Sequence, residues 1–310
     1  MIWQDLSRVC RKAALISELH GWPAHDRRIN YDGLMIPFPI PSFGVTHTLR
    51  EACDERAEDL IKKHGINIGA LFSGGADSTL AVLALVNAGA RLTLYMSQSA
   101  INDTDPFTMQ WLLNRDCDVV IINKNDLKDC PHFLITGMVG DQLYFGTPGT
   151  NDTSLISRIW TMTVDDFIGE LRHMPPSPKL TARYDELFQD LPYEPTAPNI
   201  MHWYSFCYLW TREVLHLSTC TLIGKYGLRH ETFFDSVPLQ KWAMQDAKYR
   251  CGHSLETYKD IGISVMREYV NHPIVVPQKN GIMRDAVTLS KGIDDLYMIK
   301  DDGTIIWRNL

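Results

Sequence analysis

The chain has 310 residues, enough to bury a sizeable core in one large domain or two. With 45% hydrophobic and 22% charged residues and a formal net charge of −7, it reads as an ordinary soluble globular chain, and the acidic balance argues against a dedicated nucleic-acid groove. No apolar run reaches the length of a membrane span, and Asp5, Arg8, Arg11 and Lys12 interrupt the N-terminal apolar positions, so a cytoplasmic protein without membrane partners is expected.

Residues 2–19 show helical periodicity, which Gly21-Trp22-Pro23 would end. Pro37, Pro39 and Pro41 make the next stretch extended and irregular, and residues 1–46 together read as an N-terminal extension. From Thr46 or Thr48 to His64 an amphipathic helix is expected, with Thr48 and Glu51 as a capping box and Gly65 as its stop. The apolar run 66–72 suits a strand buried on both faces, and 78–88 suits a helix packed on a sheet.

Between them lies Ser73-Gly74-Gly75-Ala76-Asp77-Ser78-Thr79. Two glycines let the backbone turn sharply and approach a ligand, and the free N–H groups of the following helix face whatever anion sits there. No Lys follows the glycines, which excludes the G-x-x-x-x-G-K-[ST] loop, and G-x-G-x-x-G is absent. Ser73 to Ser78 resembles instead the Ser-Gly-Gly-x-Asp-Ser signature of the PP-loop ATP pyrophosphatases, which split ATP between its α and β phosphates. That resemblance implies that Ser73, Gly74, Gly75, Ser78 and Thr79 hold the pyrophosphate and that Asp77 binds Mg²⁺.

Further along, 91–96 alternates into a second strand and completes a right-handed βαβ unit, and 97–105 reads as the polar loop beyond its carboxyl end. Residues 108–115 look helical, 119–122 is expected to be a third buried strand, and 123–132 a bare loop leading to a fourth strand at 133–136. This strand runs into Thr136-Gly137-Met138-Val139-Gly140-Asp141-Gln142-Leu143-Tyr144-Phe145-Gly146. The run is similar to Gly-Glu-Gly-Ala-Asp-Glu-Leu-Phe-Gly-Gly of the asparagine synthetase and β-lactam synthetase branch, which implies that Asp141 is a second Mg²⁺ ligand.

Prolines break 150–199 into short pieces, and 201–222 reads as one or two buried helices with Trp203, Tyr204, Tyr208 and Trp210 in the core. The stretch 227–239 is similar to the family's Arg-x-Pro-Phe-Leu-Asp-x-x-Leu element, with Arg229 or His230 near its Arg and Thr232 at its Pro, and a helix continues through Leu239, Trp242 and Ala243. Pro273 to Ile282 resembles the late Pro-x-x-Lys-x-Gly loop, implying that Lys279 reaches the phosphates and the reaction centre. The tail reads as a hairpin around Asp301-Asp302-Gly303. The seven cysteines contain no C-x-x-C and suit reduced thiols.

These elements imply a doubly wound parallel sheet with a mainly helical C-terminal part: a synthetase-like domain over 47–290 between the extension 1–46 and a hairpin at 291–310. The resemblance implies an ATP- and Mg²⁺-dependent, AMP-forming ligase that adenylates a small-molecule carboxylate and passes it to ammonia or an amine, with Lys279, Asp77 and Asp141 as its catalytic residues. Ile2 stands where glutaminase-bearing members carry Cys, so nitrogen is expected from free ammonia, an amine or a separate ammonia-supplying subunit. Met138 replaces the family's Glu or Tyr, leaving Glu231 or His230 as candidate acid/base groups. The alternatives are a PP-loop enzyme that modifies a nucleobase or tRNA, and a nucleotide-binding member without chemistry.

Overall fold

A computed structural model describes residues 41–42, 47–115, 117–122, 127, 130–145, 157–173, 191–210, 228–254, 257–273, 297–299 and 305–307. The expected helix at 2–19, most of the loop at 123–132, the stretch 211–222, Lys279 and the turn Asp301-Asp302-Gly303 lie outside these residues.

Helix α1, Leu49–His64, begins on the expected capping box: the Thr48 side chain accepts from the Glu51 N–H, and the Glu51 carboxylate accepts from the Thr48 N–H at 2.8 Å. Strand β1, Asn67–Leu71, leads through the glycine turn into α2, Ala76–Asn87, which buries eight consecutive residues from Ser78 to Leu85. Strand β2, Arg91–Met96, then pairs parallel with β1 from Asn67↔Arg91 to Leu71↔Tyr95.

Residues 97–105 are more ordered than a loop. Ser97 caps a short helix α3, Gln98–Asp103, by accepting from the Ala100 N–H, and Asp105 caps α4, Pro106–Leu113, by accepting from the Thr108 N–H. The local capping bonds outweigh the polar composition that suggested a bare connection. Strand β3, Cys117–Ile121, pairs with β2 but is not buried on both faces: Val120 and Ile121 are 38% and 50% exposed. Its apolar run belongs to the edge of the sheet.

Strand β4, Leu134–Thr136, pairs parallel with β1, and α5, Gly140–Tyr144, follows it. Helices α6, Val164–His173, and α7, Ala197–Tyr204, come next, and α7 runs into a π-helical turn at Ser205–Leu209. Trp203 and Trp210 are core residues, as expected. A fifth strand, β5, His230–Thr232, adds parallel to β4, at a place where no strand was expected. It is followed by α8, Val237–Ala243, α9, Ala247–Arg250, and α10, Asp260–Val270. Strands β6, Tyr297–Ile299, and β7, Ile305–Trp307, form the antiparallel pair of the tail.

The parallel sheet has the order β3-β2-β1-β4-β5, with helices packed on both faces. Helix α10 packs on α2, and α1 packs on α2 and α8. The chain moves outward from β1 through β2 to β3, then crosses back to place β4 on the other side of β1. The crevice between the carboxyl ends of β1 and β4 is therefore the point at which an open parallel sheet binds its ligands. No helix among the described residues is long and apolar enough to cross a membrane, and Cys53, Cys130 and Cys251 are free thiols.

Candidate active site

Both motifs singled out in the sequence end at this crevice, in register: Leu71, the last residue of β1, pairs with Thr136, the last of β4. After β1 the chain turns through Gly74, whose φ of +70° is a left-handed conformation that a residue without Cβ adopts freely. The turn is bonded to itself. Ser73 Oγ and Ser78 Oγ lie 2.9 Å apart, Ser78 Oγ donates to the Gly75 carbonyl at 3.1 Å, and the Gly75 N–H donates to Ser73 Oγ at 3.3 Å. Thr79 is buried, and its N–H makes the first helical bond, to the Gly75 carbonyl at 2.9 Å.

Side chains cap α1, α3, α4, α7 and α9, whereas α2, whose N-cap is Gly75, has no side-chain cap, like α5, α8 and α10. The first-turn N–H groups and positive dipole end of α2 face the crevice with no capping side chain over them. Asp77 stands in that first turn.

The loop after β4 is shaped by two close approaches. A Cβ on Gly137 would lie 2.7 Å from the backbone nitrogen of Ser78, and one on Gly140 would lie 2.4 Å from Cγ of Asp77. Only glycines let this loop press against the start of α2. Between them Val139 takes φ 60° and ψ 11°, a left-handed backbone unfavourable for a β-branched residue, and the Thr232 hydroxyl donates to the Met138 carbonyl. The strained turn aims α5 so that Asp141 meets Asp77.

A third residue joins them. Lys259 Nζ lies 2.6 Å from Asp77 Oδ2 and 2.6 Å from Asp141 Oδ1, so one ammonium bridges the two carboxylates. Tyr258 donates its hydroxyl to Asp141 Oδ1 at 3.0 Å. Burial opposes the charge on Lys259, but Asp141 and Asp77 outweigh it and hold its pKa well above the ordinary value. Burial, with Asp141 adding to it and Lys259 opposing, holds Asp77 above the usual carboxylate range.

The sequence reading missed Lys259 and named Lys279, which lies outside the described residues. No local pattern marks Lys259, because its partner Asp77 is 182 positions away in the chain. Lys259 occupies the N-cap position of α10, where the helix dipole disfavours a cation, and a lysine there needs an anion to hold it. Gly262, one turn on, lets α10 approach: a Cβ there would lie 2.4 Å from the Tyr144 hydroxyl.

Helix α5 is also held from behind. The buried guanidinium of Arg250 donates to the carbonyl of Tyr144, to that of Gln245 at 2.8 Å and to Asn199 Oδ1 at 3.1 Å. His202, fully buried, accepts at Nδ1 from the Tyr193 hydroxyl at 2.6 Å. Its burial, and then the charge of Arg250, keep its pKa well below the ordinary value, against the pull of the Gln142 and Leu143 backbone.

Neither acid/base candidate is brought to the carboxylates. Glu231 lies on β5 and is taken up by three groups of α1: Lys63, Arg56 at 3.1 Å and His64 at 3.1 Å. Burial would raise its pKa, but Lys63 and Arg56 outweigh burial and hold it below the usual range. His230 is buried, pairs with Leu134 at the start of β4, and donates from Nδ1 to the Leu228 carbonyl at 3.0 Å. Both residues tie β5 into the fold.

The donor set suits Mg²⁺, which takes one or two carboxylates and completes its shell with water and substrate phosphate. Asp77 Oδ1 is buried and has no hydrogen-bond partner, and the Lys259 ammonium stands between the carboxylates as a cation would. Among the described residues no cluster of three or more His, Cys, Asp or Glu forms an all-protein metal cage.

No protein-family model matches the chain, and no curated protein does. The five-stranded parallel sheet of order β3-β2-β1-β4-β5 is compatible with a Rossmann-like or nucleotide α-hydrolase fold.

Proposed function

We propose that the chain is an ATP-dependent, AMP- and pyrophosphate-forming ligase of the PP-loop type, resembling the synthetase part of asparagine synthetases. The observation that carries this reading is the meeting of Asp77 and Asp141, from two separate motifs, around one cation at the uncapped start of α2. In this reading the Ser73-Gly74-Gly75 turn and the N–H groups of α2 receive the β and γ phosphates, and Asp77 and Asp141 hold Mg²⁺. The metal supplies neutralisation of the pyrophosphate charge.

A substrate carboxylate oxygen attacks the α-phosphorus of ATP, the bond to the bridging oxygen breaks, and pyrophosphate leaves. The resulting acyl-adenylate is attacked at its carbonyl carbon by ammonia or an amine, which loses a proton as AMP departs. The chain's own part is to position the phosphates and to answer the charge that develops between them, for which preorganised donors and cations are the effective devices. Lys259 is the described cation placed to do so.

ATP–pyrophosphate exchange, run with Mg²⁺ against a panel of small carboxylic acids, tests the first half-reaction without knowledge of the amine. Exchange that depends on one acid supports the ligase. Tight binding of Mg²⁺·ATP with no exchange for any acid would favour the second reading, a nucleotide-binding protein without this chemistry, to which Met138 in place of the family's acid/base residue also points.

A further inference from the structure

The bridge made by Lys259 has a consequence for how the site is loaded. We propose that Lys259 is a resident counter-ion occupying the metal position between Asp77 and Asp141, and that a divalent cation binds there only by displacing it. The inference rests on the reading of the carboxylate pair as a magnesium site and adds the event that must precede loading.

The two contacts are equal, at 2.6 Å to each carboxylate, so the ammonium sits at the place from which a metal would contact both oxygens. Mg²⁺ binds oxygen at about 2.0–2.1 Å, and a second cation cannot share so small a space. The charges are also unbalanced. Two carboxylates face one ammonium, and Asp77 Oδ1, buried and without a partner, takes no bond from it. A divalent ion matches the pair where a single ammonium does not.

Displacement is made easier by where Lys259 is anchored. At the N-cap of α10 its side chain sits against the positive end of a helix dipole, and the contacts seen at its ammonium are with the two carboxylates and, 5.4 Å away, the ring of Tyr258. Once a metal takes the carboxylates, both the metal and the dipole repel the ammonium, and its flexible four-carbon stem lets it swing aside. Asp141 is not left loose, because the Tyr258 hydroxyl still holds the oxygen that Lys259 vacates. A bare divalent ion thus meets competition at this site that it would not meet at an empty carboxylate pair.

The test is Mn²⁺ binding to the full chain without nucleotide, followed by electron paramagnetic resonance or calorimetry. Lys259→Met keeps the length of the side chain and removes its charge, and it should bind Mn²⁺ on the order of 10- to 100-fold more tightly than the wild type. Adding Asp77→Asn to Lys259→Met should abolish the gain. Unchanged affinity in Lys259→Met, or a gain that survives Asp77→Asn, overturns the proposal.

The wild type gives a second readout that needs no variant. Acylation of Lys259 by an amine-reactive reagent, followed by mass spectrometry, should rise as Mg²⁺ saturates the protein, and labelling indifferent to Mg²⁺ would also overturn it. Failure of the ligase reading looks different: ATP–pyrophosphate exchange would be absent while the Mn²⁺ gain in Lys259→Met persisted.

Discussion

Gly140 stands directly against the carboxylate of Asp77: a Cβ at residue 140 would lie 2.4 Å from Asp77 Cγ and 2.7 Å from its Oδ1. The glycine is what lets the second motif reach the first. Gly140→Ala should therefore force Asp77 or α5 to move, costing about 1–3 kcal/mol of stability, as overpacking does. It should also lower Mg²⁺-dependent turnover far more than this modest destabilisation would suggest. Urea unfolding and turnover measured on the same variant check this, and a variant of wild-type stability and rate would show that the close approach is not needed.

A second contact sets the position of Lys259. Gly262 allows α10 to pack against Tyr144, whose hydroxyl lies 2.4 Å from where a Cβ would fall and whose Cζ lies 3.0 Å from it. Gly262→Ala should destabilise by about 1–3 kcal/mol, and Tyr144→Phe in the same chain should recover part of the loss by removing the nearest atom. A double-mutant cycle by chemical denaturation measures the coupling. Simple additivity of the two changes would place the strain elsewhere.

How much of this arrangement was legible in the sequence follows from how local each signal is. The start of α1 was readable because Thr48 and Glu51 are three residues apart and bond to each other. The turn at Ser73 to Ser78 was readable for the same reason, and Asp141 through the spacing of its own motif. Strand β5 was not. Three residues, His230 to Thr232, become a strand because β4 offers them an edge, which no local pattern reveals. Lys259 reaches Asp77 across 182 positions, and the polar stretch at 97–105 hid two capped helices behind a loop-like composition. The apolar run in β3 suggested burial on both faces, but sequence does not say which strand ends the sheet.

The pH dependence of stability should carry a contribution from His202. Burial first, and Arg250 second, depress its folded pKa well below the ordinary 6.5, so below about that pH the unfolded chain binds a proton that the folded chain refuses. Its contribution to stability is full above pH 6.5 and is lost as the pH falls from there toward the folded value. Between about pH 7.5 and 5, His202→Gln should flatten the stability curve by up to ~1.4 kcal/mol per pH unit relative to the wild type. Denaturation midpoints at several pH values provide the comparison, and parallel curves for the two proteins would remove His202 from the account.

The ion-pair cluster around Glu231 predicts a structural effect without a catalytic one. Glu231→Gln leaves Arg56, Lys63 and His64 without their carboxylate, and Arg56 is held in a buried position by the Phe233 and Thr232 carbonyls as well. A loss of about 1–3 kcal/mol is expected, with the exchange rate per folded molecule unchanged. A fall in that rate beyond the loss of folded protein would return Glu231 to the candidate acid/base groups.

The proposal that Asp77 and Asp141 hold the metal of an adenylating site is tested by Mg²⁺-dependent ATP–pyrophosphate exchange in Asp77→Asn and Asp141→Asn beside the wild type, with circular dichroism to confirm the fold. Each substitution removes one charge at nearly constant volume. The account predicts exchange in the wild type with a responsive carboxylic acid and a fall on the order of 10²- to 10³-fold in each folded variant. Exchange at the wild-type rate in a folded Asp77→Asn variant would contradict it.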